Sequence, residues 1–241
     1  MTLRTPRLAV SSAMVVFITM PPESISKRPR AYRSELRQQQ AEQTRSRILA
    51  AAADLFAAEG YARTTLAKIA AAAGVSVETV QGQGPKAALL IAAAEFAGVG
   101  VSGEESILNL EFGRQLVKIN DPGQALDVAA AAVTDIHKGS AKLTPALLGG
   151  ANSDPELDRY LDEFIAGLNK QFRRISEVFR SRGWLRDDVP FDELVETCTV
   201  LCSAETYYRM THRDGWSTDA YQAWVRRMLA ETVFAAGQVN S

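Results

Sequence analysis

Two short helical patterns joined at Gly74 are the feature that most constrains what this chain can fold into. The segment LAKIAAAA follows Thr65 and the segment VETV follows Ser76, and both residue types are strong helix caps. Gly74 and Val75 between them predict a tight turn, and the small residue Ala70 lets two backbones cross closely. This spacing predicts a helix-turn-helix, whose second helix has the shape to enter a major groove.

A longer amphipathic helix precedes these two. The segment TRSRILAAAADLFAAEGY begins at Thr44, places apolar residues such as Ile48, Leu49 and Phe56 on one face, and reaches its predicted end at Gly60. Alanine-rich runs dominate the whole chain, and strand-like alternation of Val, Ile and Thr is nearly absent. With 241 residues, 46% of them hydrophobic, the chain is predicted to be all-α, with about nine helices in a small domain and a larger one.

The ordered features over residues 44–91 resemble the amino-terminal domain of the TetR (tetracycline repressor) family. They are an amphipathic helix, Gly-Tyr, Thr-Thr, Ile-Ala, Gly-Val-Ser and Lys-x-x-Leu-Leu, in that order. The resemblance implies a three-helix DNA-binding domain followed by a helical effector-binding and dimerisation domain. We therefore expect a flexible extension over residues 1–38, a DNA-binding domain over 39–92 and a sensor domain over 93–241. The implied function is a repressor that a small molecule releases from its DNA operator.

The resemblance also implies roles for individual residues of the first domain. Arg45 and Thr65 would contact phosphates, Thr79 and Gln81 would lie on the recognition helix, and Lys86 would bind a phosphate at a helix start. Chemistry favours some of these roles independently, because glutamine makes bidentate contacts to adenine. The full predicted DNA-binding set is Arg30, Arg33, Arg45, Thr65, Lys68, Val77, Glu78, Thr79, Gln81, Gln83 and Lys86.

The end of the recognition helix departs from the family pattern. The chain has QGQGPK where the family usually carries aromatic residues, and glycines there predict that the helix ends by Gln81. Glu78 could accept a hydrogen bond from a cytosine amine or simply face solvent. Lys68 cannot complete a capping box with Thr65, so it would contact phosphate or remain solvated.

Charge is distributed unevenly along the chain. Residues 1–90 hold 12 Lys/Arg and 6 Asp/Glu, a net charge of +6, whereas the remainder has a net charge of −7. This asymmetry favours a DNA-binding front, although it could also arise by chance. A basic stretch within the first 38 residues would lie along DNA as a flexible arm or serve as a solvated linker; its cations are Lys27, Arg28, Arg30, Arg33 and Arg37.

An apolar stretch, LAVSSAMVVFITM, follows Arg4 and Arg7 and resembles a signal peptide. It is too short for a transmembrane helix and shows no clear cleavage site. A start of translation at Met14 or Met20, or an unpacked tail, explains it better. We expect a cytoplasmic protein with no membrane partner, and we keep an exported protein as an alternative.

Beyond residue 91 the sequence predicts helices without a recognisable motif. Asp121-Pro122, Thr144-Pro145 and Asp154-Pro155 each pair a capping residue with proline and so predict three helix starts. The last of these opens a long amphipathic helix that ends at Gly183.

Two more helices are predicted, over residues 191–211 and 218–236. Their apolar stripes resemble the pair of helices through which TetR relatives form homodimers, although such stripes can also build the core of one subunit. Dimerisation is favoured because one short recognition helix makes too few contacts for specific binding. The stripes comprise Leu194, Cys198, Leu201, Cys202, Tyr221, Trp224, Met228 and Val233.

A sensor pocket is implied between the middle helices. Its predicted lining is mostly apolar, which favours a hydrophobic or amphipathic effector, and each residue could instead be ordinary core. The candidates are Phe112, Tyr160, Phe164, Trp184, Tyr207 and Tyr208.

Catalysis and metal binding find no support in the sequence. The two histidines, His137 and His212, are far apart, and no partners stand at metal-ligand spacing around Cys198 and Cys202. We therefore predict no enzyme activity and no cofactor. The alternative function is a helical ligand-binding or protein-binding module whose DNA binding has degenerated.

Overall fold

The computed structural model describes residues 30–100 and 110–237 of the chain, with side chains from Leu36 onward. These residues form eleven α-helices and no strand beyond one antiparallel bridge between Leu185 and Phe234. The all-α prediction is confirmed. The contacts divide the chain into two compact units, Met1–Gln39 and Gln40–Ser241. The signal-like stretch and the basic residues before Arg30 lie outside the described residues.

The first four helices contain the predicted helix-turn-helix. Gly74 ends α2 at φ 65°, ψ 42°, a left-handed conformation that glycine adopts without steric cost, and so allows the turn into α3. As predicted, α3 ends at Gln81. The bounds are α1 Arg30–Arg63, α2 Leu66–Ala73, α3 Val77–Gln81 and α4 Lys86–Val99.

The first helix is longer than predicted. It begins at Arg30 rather than Thr44, so residues 30–38, expected to be a flexible arm, are helical. The reason lies in their composition, because this stretch lacks proline and glycine and is rich in Arg, Gln, Glu, Leu and Ala. Gly60 leaves the helical conformation, as expected of a helix-ending residue, but one further turn follows it to Arg63.

Seven helices follow after residue 110. Asp121 and Asp154 accept hydrogen bonds from the first turns of their helices, which confirms two predicted starts. Thr144 does not cap, because a 3₁₀ turn at Ala141–Leu143 runs directly into α7 and leaves it inside the helix. The bounds are α5 Glu111–Lys118, α6 Pro122–Ser140, α7 Thr144–Ala151, α8 Pro155–Ser181, α9 Phe191–Leu201, α10 Ala204–Tyr208 and α11 Thr218–Thr232.

The sequence predicts one continuous helix over residues 191–211, but the structure has two helices there, α9 and α10. It breaks at Ser203, whose side chain accepts a hydrogen bond from the Thr206 amide and starts α10, and a π-helical turn, Arg209–Arg213, follows. The Thr206 hydroxyl donates to the Val200 carbonyl at 2.8 Å and so satisfies one end of the broken helix. Likewise α11 ends at Thr232, and Phe234 then pairs with Leu185.

Two hydrophobic clusters hold the helices together. The first contains buried residues of α1–α4 together with Leu147 of α7 and Leu157 of α8. The second contains residues of α5, α6 and α9–α11 with Phe179 at the end of α8. Each fully buried leucine or isoleucine contributes roughly 1.5–3 kcal/mol, so both clusters are major sources of stability.

Helices α4 and α6 approach closely where Gly139 faces α4. A Cβ atom at this position would lie 1.9 Å from the Ala97 carbonyl oxygen, which belongs to backbone and cannot move aside. The absence of a side chain at Gly139 therefore sets the distance between these two helices.

We expect Gly139→Ala to lower the free energy of unfolding by at least about 1–3 kcal/mol, because α4 and α6 must separate to make room for the added Cβ. Gly149→Ala is the matched control, since nothing lies within 4 Å of its added Cβ and alanine favours a helix. Urea unfolding of both variants measures the difference, and equal stabilities would contradict the close packing.

Candidate nucleic-acid interface

The helix-turn-helix is held by local hydrogen bonds. The Lys68 amide donates to the Thr65 hydroxyl at 3.3 Å and the Thr79 amide donates to the Ser76 hydroxyl at 3.2 Å, so both predicted caps are present. The Val75 amide donates to the Ala70 carbonyl at 3.0 Å across the turn. These bonds satisfy amides at the two helix starts and fix the direction in which α3 leaves the turn.

One face of α3 is buried and the other is open to solvent. Val80 is fully buried and Val77 is partly buried against the first cluster. Glu78, Thr79 and Gln81 are exposed. The exposed face thus presents a carboxylate, a hydroxyl and a carboxamide, all groups that form hydrogen bonds with base edges.

Glu78 keeps its negative charge on this face. Its own backbone amide, followed by the Ser76 hydroxyl, lowers the pKa of the Glu78 carboxyl. An ionised carboxylate accepts from an amine and repels a phosphate, so Glu78 is suited to a base contact rather than a backbone contact.

Arg45 and Gln83 are joined by a hydrogen bond. The Arg45 guanidinium donates to the Gln83 side-chain oxygen at 2.9 Å, which ties α1 to the loop after α3. The structure therefore brings together two predicted site residues that are 38 positions apart in sequence.

Lys68 has internal partners. Its ammonium lies 2.5 Å from the Glu59 carboxylate and donates to the Arg63 carbonyl at 3.1 Å. Lys68 is thus paired with α1 rather than only solvated, and its contact with a phosphate stays a prediction.

Lys86 begins α4 and also has a partner. Its ammonium donates to the Tyr61 carbonyl at 3.1 Å and lies 4.0 Å from the centre of the Tyr61 ring. Tyr61 was not among the predicted site residues, although the Gly-Tyr pair was part of the family resemblance. The Tyr61 hydroxyl donates to the Asp154 carboxylate at 2.6 Å, a contact that no local sequence signal indicates.

Most of the positive charge of the first 92 residues precedes the helix-turn-helix in the sequence. Residues 1–39 hold seven Lys/Arg and two Asp/Glu, whereas residues 40–92 hold five and four. Arg30 and Arg33 lie on α1, but their side chains are outside the described part. The helix-turn-helix segment itself is close to neutral.

The six residues predicted for a sensor pocket do not come together. Tyr160 and Phe164 pack against the first hydrophobic cluster. The other four belong to the second cluster. Trp184 and Tyr207 are buried in it, whereas Phe112 and Tyr208 are partly buried and pack against it. The six residues are therefore divided between two clusters, and the effector pocket stays a prediction.

Polar atoms are buried inside the second cluster. The Nε2 atom of His137 lies 2.8 Å from the Cys202 carbonyl, and burial lowers the pKa of the His137 imidazole. In the described part of the chain, its Nδ1 atom and the Tyr221 hydroxyl are buried without hydrogen-bond partners. Both rings contact Tyr207, with ring centres 5.7 and 4.8 Å away.

The two cysteines are buried and free. Burial raises the pKa of the Cys198 thiol to about 12, so it is protonated at neutral pH. Among the residues that the structure describes, no group of His, Cys, Asp and Glu is arranged to hold a metal ion.

A cleft of about 300 Å³ opens between α6 and α11. Asp127 and Arg226 form an ion pair at its edge, and none of the six predicted sensor residues lines it. Over residues 30–100 and 110–237, no helix is long and apolar enough to cross a membrane.

Comparison with known proteins agrees with this geometry. Residues 48–81 match the model of a family described as bacterial regulatory proteins, tetR family. No curated protein sequence matches the chain. The matched residues run from the middle of α1 to the end of α3 and contain the whole helix-turn-helix.

Solved structures of several regulators share the fold. The fatty acid degradation regulator FadR of Bacillus halodurans is 19% identical, with a TM-score of 0.61 over 77% of this chain and 97% of its own. NalD, the secondary repressor of the MexAB-OprM multidrug efflux pump in Pseudomonas aeruginosa, is 18% identical (TM-score 0.57; 81% and 99% coverage). A triclosan complex of SmeT, the repressor of the Stenotrophomonas maltophilia efflux pump SmeDEF, is 17% identical (TM-score 0.59; 81% and 93%). At these identities the likeness shows the fold.

Proposed function

We propose that this chain, a member of the TetR family by its residues 48–81, is a DNA-binding transcriptional repressor that responds to a small molecule. The observation that carries the proposal is the outward face of α3, which presents Glu78, Thr79 and Gln81 while Val80 anchors the helix in the core. The family is one of regulatory proteins, in agreement with the prediction that the chain is not an enzyme.

Base contacts in this proposal come from α3. Gln81 would bind adenine and Glu78 would accept from a cytosine amine, while Val77 and Thr79 would contact thymine methyl groups or neighbouring phosphates. The helix is only five residues long, so few bases are within reach of one copy.

Phosphate contacts come from the residues around α3. Thr65 is exposed at the start of α2, and Arg45 and Gln83 are held together beside the end of α3. Lys68 would exchange its ion pair with Glu59 for a phosphate, whereas Lys86 would bind a phosphate from the position in which Tyr61 holds it. Arg30 and Arg33 would add charge from the start of α1.

We divide the chain into a DNA-binding part over 39–92 and a sensor part over 93–241. The two parts would share one hydrophobic cluster. The first hydrophobic cluster joins α1–α4 to Leu147 and Leu157, on the sensor side. Movement of α7 or α8 would therefore reach α4 through direct packing, and α4 would change the position of α3 relative to DNA.

The effector would bind at the second hydrophobic cluster. Trp184, Tyr207 and their neighbours supply apolar surface there, and the His137 Nδ1 atom and the Tyr221 hydroxyl are polar groups free to accept or donate. This combination favours an amphipathic molecule with one hydrogen-bonding group. The triclosan complex of SmeT is a precedent within the same fold.

A homodimer would form through the last helices. Their apolar stripes, including Tyr221 and Val233, pack into the core of the subunit itself, which was the alternative to a dimer interface. The outer face retains Val200, which is 55% exposed, and partly buried residues such as Trp224. Two copies about 34 Å apart would double the contacts that one short recognition helix makes.

A second candidate is a helical binding module with degenerate DNA binding. The near-neutral charge of residues 40–92 and the anionic Glu78 favour it. The two functions differ in the salt dependence of binding, since phosphate contacts give a steep slope of log affinity against log salt. A slope near zero would favour the degenerate module.

We expect Lys86→Ala to weaken binding to all DNA sequences alike and to reduce the salt slope by about one. Gln81→Ala should instead change the preferred sequence by about 1–3 kcal/mol at one base pair. Selection from random duplexes followed by fluorescence anisotropy measures both. Lys138→Ala and Gln124→Ala on α6 are the matched controls. If the changes in DNA binding merely follow a loss of thermal stability, the proposed contacts of Lys86 and Gln81 with DNA are excluded.

We expect an amphipathic effector to protect backbone amides of α6 and α10 from hydrogen exchange while it lowers DNA affinity. A search by native mass spectrometry for a copurifying molecule supplies the ligand. Tyr221→Phe should weaken its binding about tenfold, because the hydroxyl is lost from a buried site. Protection confined to α7 and the first half of α8 would place the effector elsewhere.

Val200→Glu should raise the dissociation constant of the homodimer about tenfold or more, because it puts a charge on the outer face of α9. Val117→Glu is the control, since Val117 is 43% exposed on α5, which is not one of the helices proposed to form the dimer. Sedimentation velocity at several concentrations measures both variants. A wild-type chain that stays monomeric at micromolar concentration would refute the dimer.

A further inference from the structure

Tyr61 touches both the start of α4 and the corner between α7 and α8. It follows Gly60 near the end of α1, is buried, and stacks against Phe56 with ring centres 6.0 Å apart. A buried tyrosine normally needs a partner for its hydroxyl, and here the partner belongs to a residue 93 positions away in sequence.

On one side, Tyr61 holds Lys86 in two ways. The backbone carbonyl accepts from the ammonium at 3.1 Å, and the ring face lies 4.0 Å from the same nitrogen. A hydrogen bond and a cation–π contact from a single residue confine a side chain that otherwise has many rotamers.

On the other side, Tyr61 is held by Asp154 at the α7–α8 corner. One oxygen of Asp154 accepts from the Tyr61 hydroxyl at 2.6 Å, and the other accepts from the Glu156 amide at 3.0 Å as the cap of α8. The Asp154 amide in turn donates to the Gly150 carbonyl at 2.9 Å. Asp154 thus joins the ring to α8 through its carboxylate and to α7 through its backbone amide.

The corner also presses against the ring itself. A Cβ atom on Gly150 would lie 2.8 Å from the Cγ atom of Tyr61 and 2.6 Å from the Leu157 side chain. The backbone of α7 therefore contacts the ring with no room to spare, and a shift of the corner displaces Tyr61 directly.

We propose that Tyr61 is a positioning residue through which the α7–α8 corner sets the place of the Lys86 ammonium, and thereby the affinity for DNA phosphate. This rests on the proposed function, in which Lys86 binds a phosphate. The corner acts on Lys86 through one ring and one hydrogen bond, in addition to the packing that joins α4 to α8.

Electrostatics link the two contacts. The Tyr61 hydroxyl is the main cause of the lowered pKa of the Asp154 carboxyl, and the Lys86 charge lowers it further. A phenol that donates to a carboxylate becomes more electron-rich, which strengthens the attraction of its ring for a cation. Loss of the Asp154 contact therefore weakens the hold on Lys86 even where the ring stays in place.

The test that does not involve DNA uses acylation of lysine amines followed by mass spectrometry. Tyr61→Phe removes only the hydroxyl, and Asp154→Ser keeps a capping oxygen while it removes the bond to Tyr61. Each variant should raise the labelling rate of Lys86 about three- to tenfold relative to Lys142 in the same sample, and the double variant should raise it no further. Asp121→Ser, which changes the cap of α6, is the matched control and should leave Lys86 unaffected.

Unchanged labelling of Lys86 in both variants would overturn the positioning role. Labelling that rises equally in the Asp121→Ser control would also overturn it, because a general loosening of the fold would then be the cause. Thermal melting of all variants measures such loosening separately.

The closing experiment measures binding to a short duplex of mixed sequence at several salt concentrations. Tyr61→Phe should lower affinity about three- to tenfold, and its effect should vanish when Lys86 is already alanine. If the fold-changes in affinity caused by Tyr61→Phe and by Lys86→Ala multiply in the double variant, the positioning role is overturned. The phosphate contact of Lys86 would then still be supported. A Lys86→Ala variant with unchanged affinity would overturn the phosphate contact itself, and with it the link to DNA.

Discussion

Packing of α4 against two groups of helices is the interaction on which the rest of the structure depends. Leu89 and Leu90 are fully buried in the cluster shared with α1–α3, α7 and α8, and Ala97 meets Gly139 of α6 at the other end of the helix. Small residues on α4 keep these neighbours close, since a larger side chain would force their backbones apart. A movement of α7 or α8 would therefore reach the helix-turn-helix through direct packing.

The cations of the helix-turn-helix segment are mostly engaged within the protein. Glu59 pairs with Lys68, Gln83 bonds Arg45, and Tyr61 holds Lys86. In the proposed complex with DNA, Lys68 would give up its ion pair to bind a phosphate, whereas Tyr61 would keep the Lys86 ammonium in position for one. The bond from Tyr61 to Asp154 would then control the affinity for DNA, because it sets the position of Lys86 without touching DNA.

Local chemistry made much of the fold predictable. Caps such as Thr65 and Ser76, and a turn glycine such as Gly74, act within three or four residues, so the sequence pattern alone indicates them. Predictions became wrong where a distant contact or a competing local bond decided the outcome. Thr144 is not a cap because a 3₁₀ turn runs into α7, and the predicted helix over 191–211 breaks where Ser203 caps α10.

By itself the sequence determined the helical class, the helix-turn-helix and the face of α3 that points outward, since periodicity and capping are properties of neighbouring residues. Only the tertiary structure decided the partners of Lys68 and Lys86, the division of the predicted sensor residues between two clusters, and the bond from Tyr61 to Asp154. Those pairings depend on how helices far apart in sequence pack, and no local pattern records which side chains meet there.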